Sequence, residues 1–374
     1  LSCLVLRTSP RDWITCVNSW HKTHEGNRDQ PSRDATPTTA QTPSAHLSPL
    51  MGSGASVPAN EEEALAAGFT AEQIAEYKEK SAEHIAKLAA ALTTVVLPEG
   101  ATVTPFLPGP PNGVTSSSPC VLGEEPIKCK LKAKTYASVD ARLLTFELPD
   151  PTTALNLPTC ACILAQAKPS GSEDVVTRPY TPVSTNSSLG SFDLLVKVYE
   201  GGVMSQHMDS LVPGEGEVYF KHIPFNVKIQ YPFGKKKLGM LCGGTGVAPM
   251  IQALNQLLGT EGDETVVSML YGSRTADSIL AKECLEQWAT DQPSRFSVNH
   301  VLSHEAAGSA YSGARGFIGR ELIEKHMPPP GGDGMIFVCG PPPMYGALSG
   351  PRDQTEASGL LKDMGYSDEE IYKF

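Results

Sequence analysis

The stretch that decides the fold runs Leu241-Cys242-Gly243-Gly244-Thr245-Gly246-Val247-Ala248-Pro249. It follows an apolar strand pattern at 238–241 and precedes an apolar helix pattern that continues to Leu258. A glycine-rich turn between a strand and a helix is where a doubly wound sheet holds the pyrophosphate of a dinucleotide on backbone amides. The turn lacks the GxGxxG spacing, so it does not indicate a conventional Rossmann domain.

Strand and helix patterns alternate from residue 235 to the C-terminus. Further strands are predicted at 265–271, 295–302 and 335–338, and helices at 277–288 and 318–326. This alternation is typical of a parallel sheet with helices on both faces. We therefore predict an α/β doubly wound, dinucleotide-binding domain over residues 235–374.

The region before it, residues 119–234, consists of short apolar runs separated by Gly and Pro, which predicts an antiparallel β-barrel. The first strand alternates from Ile127 to Lys134 and places four lysines on one face. This face and the cluster Lys235–Lys237 are interpreted either as solvated surface or as a surface that steers an acidic partner. The other strands are predicted at 142–148, 160–166, 192–199, 216–222 and 226–231.

The N-terminal 118 residues are interpreted as an extension. Residues 1–50 are rich in Ser, Thr and Pro and are predicted to be disordered, and the start at Leu1 leaves open that they are not native. If translation starts at Met51, Gly52 opens a myristoylation pattern and would give peripheral membrane contact, although a flexible linker fits as well. A helix is predicted at 60–92, and a Pro-rich linker at 98–119.

A second motif lies in the barrel region, at Arg178-Pro179-Tyr180-Thr181-Pro182-Val183-Ser184. It combines a guanidinium that can hold a phosphate through two hydrogen bonds with an aromatic ring and hydroxyl groups. On an extended segment, residues 178, 180 and 182 share one face, which suits a ligand with an anionic part and a flat aromatic part. Taken alone, the motif also fits an edge strand with a salt bridge.

Two more motifs complete the set. Gly201-Gly202-Val203-Met204-Ser205-Gln206 precedes an apolar helix pattern, which favours either an anion site at a helix N-terminus or a capped tight turn. Phe337-Val338-Cys339-Gly340-Pro341-Pro342-Pro343-Met344 ends a strand in a rigid turn and places Cys339 at the carboxyl edge of the sheet, where ligands bind.

Composition excludes several classes of function. The formal charge of −11 argues against a nucleic-acid partner, whose phosphates require a basic surface. Nine cysteines without a CxxC pair, and histidines without metal-ligand spacing, predict no metal site and a reducing compartment. No apolar run approaches the roughly 20 residues that span a bilayer.

The four motifs, in this order and spacing, resemble those of the NADH–cytochrome b5 reductases, within the broader ferredoxin-reductase-like family. The resemblance covers residues 120–374 and includes the aromatic C-terminus Tyr372-Lys373-Phe374. The stretch 360–366 is similar to the fungal and plant mitochondrial type. Three departures are Val203, where the family often has Lys, the loop between Tyr199 and Gly201, which is shorter than in animal members and leaves the adenine contacts open, and the run 157–162, which replaces a usual Gly-Gln-His run.

The resemblance implies FAD in the barrel and NADH on the sheet, with Tyr180, Thr181, Thr245 and Cys339 at the reacting rings. Alternatively, Cys339 is simply a small buried residue at the end of a strand. The residues implied for FAD are Arg178, Pro179, Tyr180, Thr181, Ser184, Leu195, Lys197, Gly202, Val203, Met204 and Ser205. Those implied for the dinucleotide are Gly244, Thr245, Gly246, Cys339, Gly340, Pro341 and Met344, and Phe374 is a further cofactor-binding candidate.

The activity implied by the resemblance is transfer of a hydride from NADH to FAD and of single electrons to an acidic haem protein such as cytochrome b5. NADPH is the alternative donor, because Arg274 follows the second strand of the sheet, where a 2′-phosphate would lie. The rival interpretations are a same-fold reductase serving another acceptor, a non-catalytic nucleotide-binding scaffold, and a membrane-anchored interaction module built on residues 51–92. The expected location is the cytosolic face of the endoplasmic reticulum or mitochondrial membrane, or the cytoplasm.

Overall fold

The structure, a computed structural model, describes residues 97–116, 118–170, 172–224 and 229–374. All of them fall within one compact unit. The predicted disordered segment 1–50, the myristoylation pattern at Gly52 and the predicted helix at 60–92 lie outside the described residues. Within the described ranges no helix combines the length and the apolar character needed to cross a membrane.

The first part of the fold is a six-stranded antiparallel sheet in the order β4-β3-β6-β1-β2-β5. Its core contains three phenylalanines from different strands, Phe146, Phe192 and Phe220, whose ring centroids lie 4.9–5.8 Å apart. Among the described residues, the strands and the α-helix of this part are β1 (Ile127–Ser138), β2 (Ala141–Glu147), β3 (Ile163–Ala167), β4 (Val176–Tyr180), β5 (Ser191–Lys197), α1 (Val203–Ser210) and β6 (Glu217–Lys221).

The two edges of this sheet meet just beyond strand β4, which confirms the predicted barrel. The Val183 N–H donates to the Asp193 carbonyl on β5 (2.9 Å), and the Asp193 N–H donates to the Ser184 hydroxyl (2.9 Å). Because Pro179 and Pro182 carry no N–H, the β4 segment pairs through fewer bonds than a central strand, as expected at an edge. The motif at 178–184 therefore lies where the barrel closes.

The second part is a six-stranded, parallel sheet in the order β10-β9-β8-β7-β11-β12, covered by helices, as predicted. Strand β7 is central and buried along almost its whole length, as a parallel sheet covered on both faces requires. The elements are β7 (Lys237–Gly243), α2 (Val247–Gly259), β8 (Val266–Ser273), α3 (Lys282–Asp291), β9 (Phe296–Leu302), β10 (Ala314–Arg315), α4 (Arg320–His326), β11 (Gly334–Cys339), α5 (Pro342–Leu348), α6 (Leu360–Asp363) and β12 (Ile371–Lys373).

The order of these strands fixes where a ligand would bind. From β7 the chain moves to β8 and β9 on one side, then returns to β11 on the other side. The strand order therefore reverses between β7 and β11, which run parallel, and a crevice opens outside the carboxyl ends of these two strands. Both sheet motifs, at 241–249 and 337–344, lie at that point.

Residues 97–116 form what we call the strap, which covers most of the predicted Pro-rich linker and packs against both the barrel and the sheet domain. The Thr104 N–H donates to the Tyr136 carbonyl of the barrel (2.8 Å), and Phe106 is buried in the core beneath the parallel sheet. The strap is then held to the sheet domain by Trp288 Nε1, which donates to the Gly109 carbonyl (2.9 Å). Glycine and proline here shape a packed segment because helix side chains satisfy its backbone polar groups.

Two predicted element boundaries and part of one predicted strand are wrong. Strand β3 begins at Ile163 rather than at 160, because Cys160 has a φ of 63°, which no strand accommodates. Helix α3 begins at Lys282 rather than at 277, because Thr275 and Ser278 cap a separate 3₁₀ turn and Ala281 has a φ of 55°. Residues 229–231 of the strand predicted at 226–231 form no strand, and residues 226–228 lie outside the described ranges.

The predicted lysine face of β1 is interrupted. The register between β1 and β2 shifts after Leu131, so Lys132 and Ala133 are both exposed and the strict alternation ends. Lys134 is not free for a partner, because its ammonium donates to the carbonyls of Asp209 and Leu211 at the end of α1. Lys128 is paired with Glu217 at 3.0 Å, which leaves Lys130 and Lys132.

Candidate functional site

The sheet side of the crevice is built from two turns packed backbone against backbone. Cys242 on β7 pairs in register with Cys339 on β11, so the turns after these strands start at the same level. A Cβ placed on Gly246 would overlap the Cys339 carbonyl, and a Cβ on Gly243 would stand 2.8 Å from the Met344 sulfur. The structure thus brings the predicted dinucleotide residues at 244–246 and 339–344 together, and glycine is required for their close approach.

The turn itself is held open towards the crevice. Gly244 has a φ of 54°, and nothing lies within 4 Å of the position that a Cβ would occupy. Its carbonyl accepts a hydrogen bond from the Tyr271 hydroxyl at 3.0 Å, and Tyr271 is fully buried. The carbonyl is therefore held by the protein, while the adjacent backbone stays accessible to a ligand at the N-terminus of α2.

The barrel side presents side chains. The Arg178 guanidinium is exposed, and it donates to the neighbouring Thr177 carbonyl (2.8 Å). The Tyr180 ring packs partly against the barrel core, and burial raises the pKa of Tyr180 to about 12. An exposed cation beside a neutral, half-buried aromatic ring matches the predicted anionic and flat parts of the ligand.

Tyr199 lies just after β5 and is half exposed, and it contributes to the raised pKa of Tyr180. The pKa of Tyr199 is itself raised, mainly by burial, while Thr245 through a hydrogen bond and Arg274 through its charge act in the opposite direction. The two sides of the crevice meet where strand β5 packs against the Gly244–Gly246 turn.

Helix α1 provides a candidate phosphate site at its N-terminus, where Gly202 is the N-cap and no side chain caps the first amides. The Ser205 hydroxyl is already used, since it donates to the Gly202 carbonyl (3.0 Å) and accepts from the Tyr199 N–H (3.3 Å). Met204 is buried in the barrel core, whereas Val203 is exposed. At this place backbone N–H groups, rather than the side chains of residues 203–205, are the donors available to a phosphate.

Other predicted flavin residues are already engaged with the protein. The Lys197 ammonium lies 2.7 Å from the Asp140 carboxylate, and both side chains are nearly buried. Leu195 packs in the core shared by the barrel and the sheet domain, and the Ser184 hydroxyl holds the barrel closure. Thr181 is half-buried and Pro179 is exposed, on either side of Tyr180.

The last predicted residues lie at the carboxyl end of β11. Burial raises the pKa of the Cys339 thiol to about 11, so the thiol stays protonated and acts as a small polar group rather than a nucleophile. Gly340 and Met344 are half-buried and Pro341 is exposed. The Phe374 N–H donates to the Val338 carbonyl (3.1 Å) and the Tyr345 hydroxyl donates to the Phe374 carbonyl (2.6 Å), which anchors the C-terminal ring beside this turn.

The residues present fit a flavin and a dinucleotide. The crevice offers an exposed guanidinium, the uncapped N-terminus of α1, an open glycine turn and aromatic rings on both sides. Among the described residues no cluster of three or more His, Cys, Asp or Glu side chains is arranged to hold a metal ion. The site can bind and orient flat, phosphorylated ligands, and a bound flavin would supply the redox chemistry.

Three residues of the site were missed by sequence reasoning: Tyr199, Tyr271 and Gln252. Tyr199 and Tyr271 act through contacts that join different strands and lobes, and no local pattern marks such contacts. Gln252 lies on an apolar helix, and a polar residue at a buried helical position is the one signal that pointed to it.

Known proteins resemble the chain over both the barrel and the sheet domain. Residues 128–221 match the family model of the oxidoreductase FAD-binding domain, and residues 240–349 match that of the oxidoreductase NAD-binding domain. The NADH-cytochrome b5 reductase 2 of Scheffersomyces stipitis is 38% identical over 258 residues, which cover 67% of this chain and 84% of the relative. The protein of the same name from Pyricularia oryzae is 35% identical over 269 residues, which cover 68% and 80%.

Solved structures of cytochrome b5 reductase domains have a fold similar to that of this chain. The cytochrome b5 reductase domain of Ulva prolifera nitrate reductase has a TM-score of 0.55 and 29% identity, and the match covers 61% of this chain and 92% of that one. The CS-b5R domains of human Ncb5or share the fold with a TM-score of 0.56 at 24% identity, covering 67% and 69%. The strap lies outside both ranges matched by the family models.

Proposed function

The chain belongs to the NADH–cytochrome b5 reductase family, and on that premise we propose that its crevice brings NADH and FAD together for electron transfer to cytochrome b5. It is an oxidoreductase with an FAD-binding and an NAD-binding domain. Bound FAD supplies what the side chains lack, since it accepts a hydride and gives up its two electrons one at a time. The protein contributes binding, orientation and exclusion of water.

The observation that carries this proposal is the packing of the barrel on the sheet domain, where strand β5 contacts the Gly244–Gly246 turn and the two parts share one core. Hydride transfer requires two rings in near contact, so the flavin wall and the nicotinamide wall have to face each other. In this proposal Tyr180 and Thr181 orient the flavin, Thr245 lies between the two rings, and the Cys339 thiol borders the nicotinamide.

The phosphates are assigned to separate parts of the crevice. Arg178 and the N-terminus of α1 at Gly202 hold the FAD pyrophosphate, where a cation and backbone N–H groups are accessible. The Gly244–Gly246 turn holds the pyrophosphate of NADH at the N-terminus of α2. Lys197 contributes through its ion pair with Asp140, which orients the end of β5 below Tyr199.

The test is anaerobic reduction of the purified protein, residues 51–374. We expect a yellow protein whose flavin absorbance bleaches on addition of NADH, and more slowly on addition of the same concentration of NADPH. Protein that stays yellow with both donors would contradict hydride transfer. Protein without flavin, which also takes up none when incubated with FAD, would favour a nucleotide-binding scaffold.

Cytochrome b5 is proposed as the acceptor because the relatives carry it in their names. Lys130 and Lys132 are the lysines of β1 that are left to attract an acidic surface, since Lys128 and Lys134 are engaged. Reduction of cytochrome b5 by the NADH-loaded enzyme should therefore slow as salt rises, whereas oxidation of NADH-bleached enzyme by ferricyanide should change less. A quinone reduced faster than cytochrome b5 would instead identify a same-fold reductase with another acceptor.

We also propose peripheral attachment to the cytosolic face of an intracellular membrane, supported by the myristoylation pattern at Gly52. One acyl chain gives only marginal, reversible binding, so a second attraction to the membrane is needed for stable attachment. Co-expression of residues 51–374 with N-myristoyltransferase should add one acyl group and increase flotation with liposomes. Gly52→Ala should remove both effects without changing the rate of flavin bleaching.

A further inference from the structure

Gln252 joins the two walls of the crevice through its side-chain amide. It lies on α2, in the second turn after the Gly244–Gly246 turn, and it is 7% exposed. Its Oε1 accepts from the Cys160 N–H at 2.6 Å, and its Nε2 donates to the Pro182 carbonyl at 2.7 Å. Both partners belong to the barrel, so one side chain of the sheet domain holds two separate barrel segments.

One barrel segment belongs to the motif that contains Tyr180, and the other lies against the first turn of α2. Pro182 comes directly after Thr181, at the end of the motif that contains Tyr180. Cys160 has a φ of 63°, and its thiol donates to the Pro249 carbonyl at 3.3 Å, so this segment also rests on the first turn of α2. A non-glycine residue in this conformation is strained and persists only where surrounding contacts hold it.

The linkage contains no flexible piece. On the sheet side, α2 continues the Gly244–Gly246 turn without interruption, and Gln252 is fixed to that helix. On the barrel side, Pro182 is buried and its neighbour Val183 is bonded to β5. The Thr181 segment and the turn at Thr245 are therefore joined through Pro182, Gln252 and α2.

We propose that Gln252 is a positioning residue that sets the distance and the tilt between the flavin wall and the nicotinamide wall. The inference rests on the proposed function, since it concerns the same crevice. Gln252 touches neither ring and acts through Pro182 on Thr181, and through α2 on Thr245. Its loss lowers the rate of hydride transfer more than the affinity for either cofactor, because both binding sites remain and only their relation changes.

The chain offers a matched control one helical turn further along α2. Gln256 is equally buried, and its Nε2 donates to the Val114 carbonyl of the strap at 2.9 Å rather than to the barrel. Gln252→Met and Gln256→Met each replace a buried amide by an apolar side chain of similar length. Gln252→Met leaves two backbone partners without a hydrogen bond and Gln256→Met leaves one, and only the first should disturb the crevice.

The experiment uses the FAD-loaded full chain, mixed anaerobically with NADH in a stopped-flow instrument. For Gln252→Met we expect a limiting bleaching rate lower by about 10- to 100-fold, as misplacements near 1 Å produce, and an NADH dissociation constant changed less than about threefold. Gln256→Met should bleach at the wild-type rate. Equal limiting rates in the two variants would overturn the proposal.

Two readouts do not depend on turnover. The long-wavelength charge-transfer absorbance of dithionite-reduced enzyme mixed with NAD⁺ should weaken in Gln252→Met and persist in Gln256→Met, because it reports stacking of the two rings. Amide hydrogen exchange should accelerate at Cys160 in Gln252→Met, also in protein stripped of FAD. Unchanged charge-transfer absorbance would overturn the proposal even if Gln252→Met were slow.

Gln252→Glu provides a test that survives poor folding of Gln252→Met. A protonated Glu side chain can accept from the Cys160 N–H and donate to the Pro182 carbonyl, whereas the carboxylate has no donor for that carbonyl. The limiting bleaching rate of Gln252→Glu should therefore rise as the pH falls, relative to wild type. A parallel pH profile would contradict the inference, whereas absence of bleaching in the wild-type protein would contradict the proposed function itself.

Discussion

The two walls of the crevice meet a ligand in different ways. The sheet wall is backbone: Gly244 and Gly246 form a turn so close to Cys339 that a side chain at Gly246 would overlap it. The barrel wall is side chain: Arg178 is exposed and Tyr180 is half-buried. Backbone packed on backbone cannot adapt to an added atom, whereas an exposed side chain can be exchanged without disturbing its neighbours. The sheet wall should therefore tolerate substitution less, and the barrel wall should separate binding from stability.

The largest effect is expected on the sheet wall, for Gly246→Val. The added side chain would overlap the Cys339 carbonyl and press on the Gly340 N–H. Overpacking of this kind costs about 1–3 kcal/mol in stability, and displacement of the turn should reduce the rate of bleaching by NADH by about 100-fold or more. FAD content should stay near that of the wild type, measured by flavin absorbance per protein.

Gly346→Ala is the control for that variant. Gly346 lies in α5, and nothing stands within 4 Å of its missing Cβ, so the substitution should raise stability or leave it unchanged. Equal bleaching rates in Gly246→Val and Gly346→Ala would contradict the claim that hydride transfer requires the close backbone packing at Gly246.

On the barrel wall, Arg178→Ala should weaken FAD binding and leave the fold intact. A charge-assisted hydrogen bond to a phosphate contributes about 1.5–3 kcal/mol, which corresponds to a roughly 10- to 100-fold higher dissociation constant. The thermal midpoint of FAD-free protein should not change, because Arg178 is exposed and donates to the carbonyl of its own neighbour.

Fluorescence titration of FAD-free protein with FAD measures this change. Arg178→Lys should recover part of the affinity, since Lys keeps the charge but not the planar fork. Equal FAD affinity in Arg178→Ala and wild type would remove Arg178 from the site.

A smaller effect on stability is expected from Tyr180 at high pH. Burial raises the pKa of Tyr180 from 10.0 to about 12, so the folded protein holds this proton more tightly than the unfolded chain does. The corresponding stability is fully present below pH 10 and is lost as the pH rises through 12. In Tyr180→Phe the free energy of unfolding should therefore fall less between these two pH values, by about 1–3 kcal/mol.

Denaturant titrations at several pH values measure this difference. Tyr199→Phe is the comparison, because Tyr199 is 53% exposed and should give a smaller change. A larger change for Tyr199 than for Tyr180 would mean that the Tyr180 ring faces solvent.

The smallest effect on function is expected outside both walls, at the strap. Trp288→Phe removes the indole donor to the Gly109 carbonyl and leaves an aromatic ring in place. The free energy of unfolding should fall by about 1–3 kcal/mol, because the carbonyl loses its partner and the core loses volume. The bleaching rate and FAD affinity should stay at the wild-type values, measured by stopped flow and by fluorescence titration, and a slower bleaching rate would give the strap a part in positioning the walls.

Most of the fold could be predicted because its signals are local. The strand at 238–241, the glycine turn and the helix through Leu258 are read from neighbouring residues, and the structure confirms them. The errors arose where a single residue overrides the pattern. Cys160 and Ala281 adopt left-handed backbone conformations, so β3 and α3 begin later in the sequence than predicted. The residue types Cys and Ala do not indicate such a conformation. The Pro-rich stretch at 98–119 is predicted to be a linker from its composition alone. Its packing could not be predicted, because the side chains that hold it lie more than 100 residues away, at Asn255, Gln256 and Trp288.

By itself the sequence determined the order of the two lobes, the glycine turn at 243–246, and the presence of an Arg and a Tyr on one segment, because each depends on residues close together in the chain. Only the tertiary structure decided that strand β5 packs against the Gly244–Gly246 turn, that Lys197 is paired with Asp140, and that Gln252 holds two barrel segments. These contacts join residues from different strands and lobes. Their hydrogen bonds and charges exist only after the chain has folded, so no local pattern contains them.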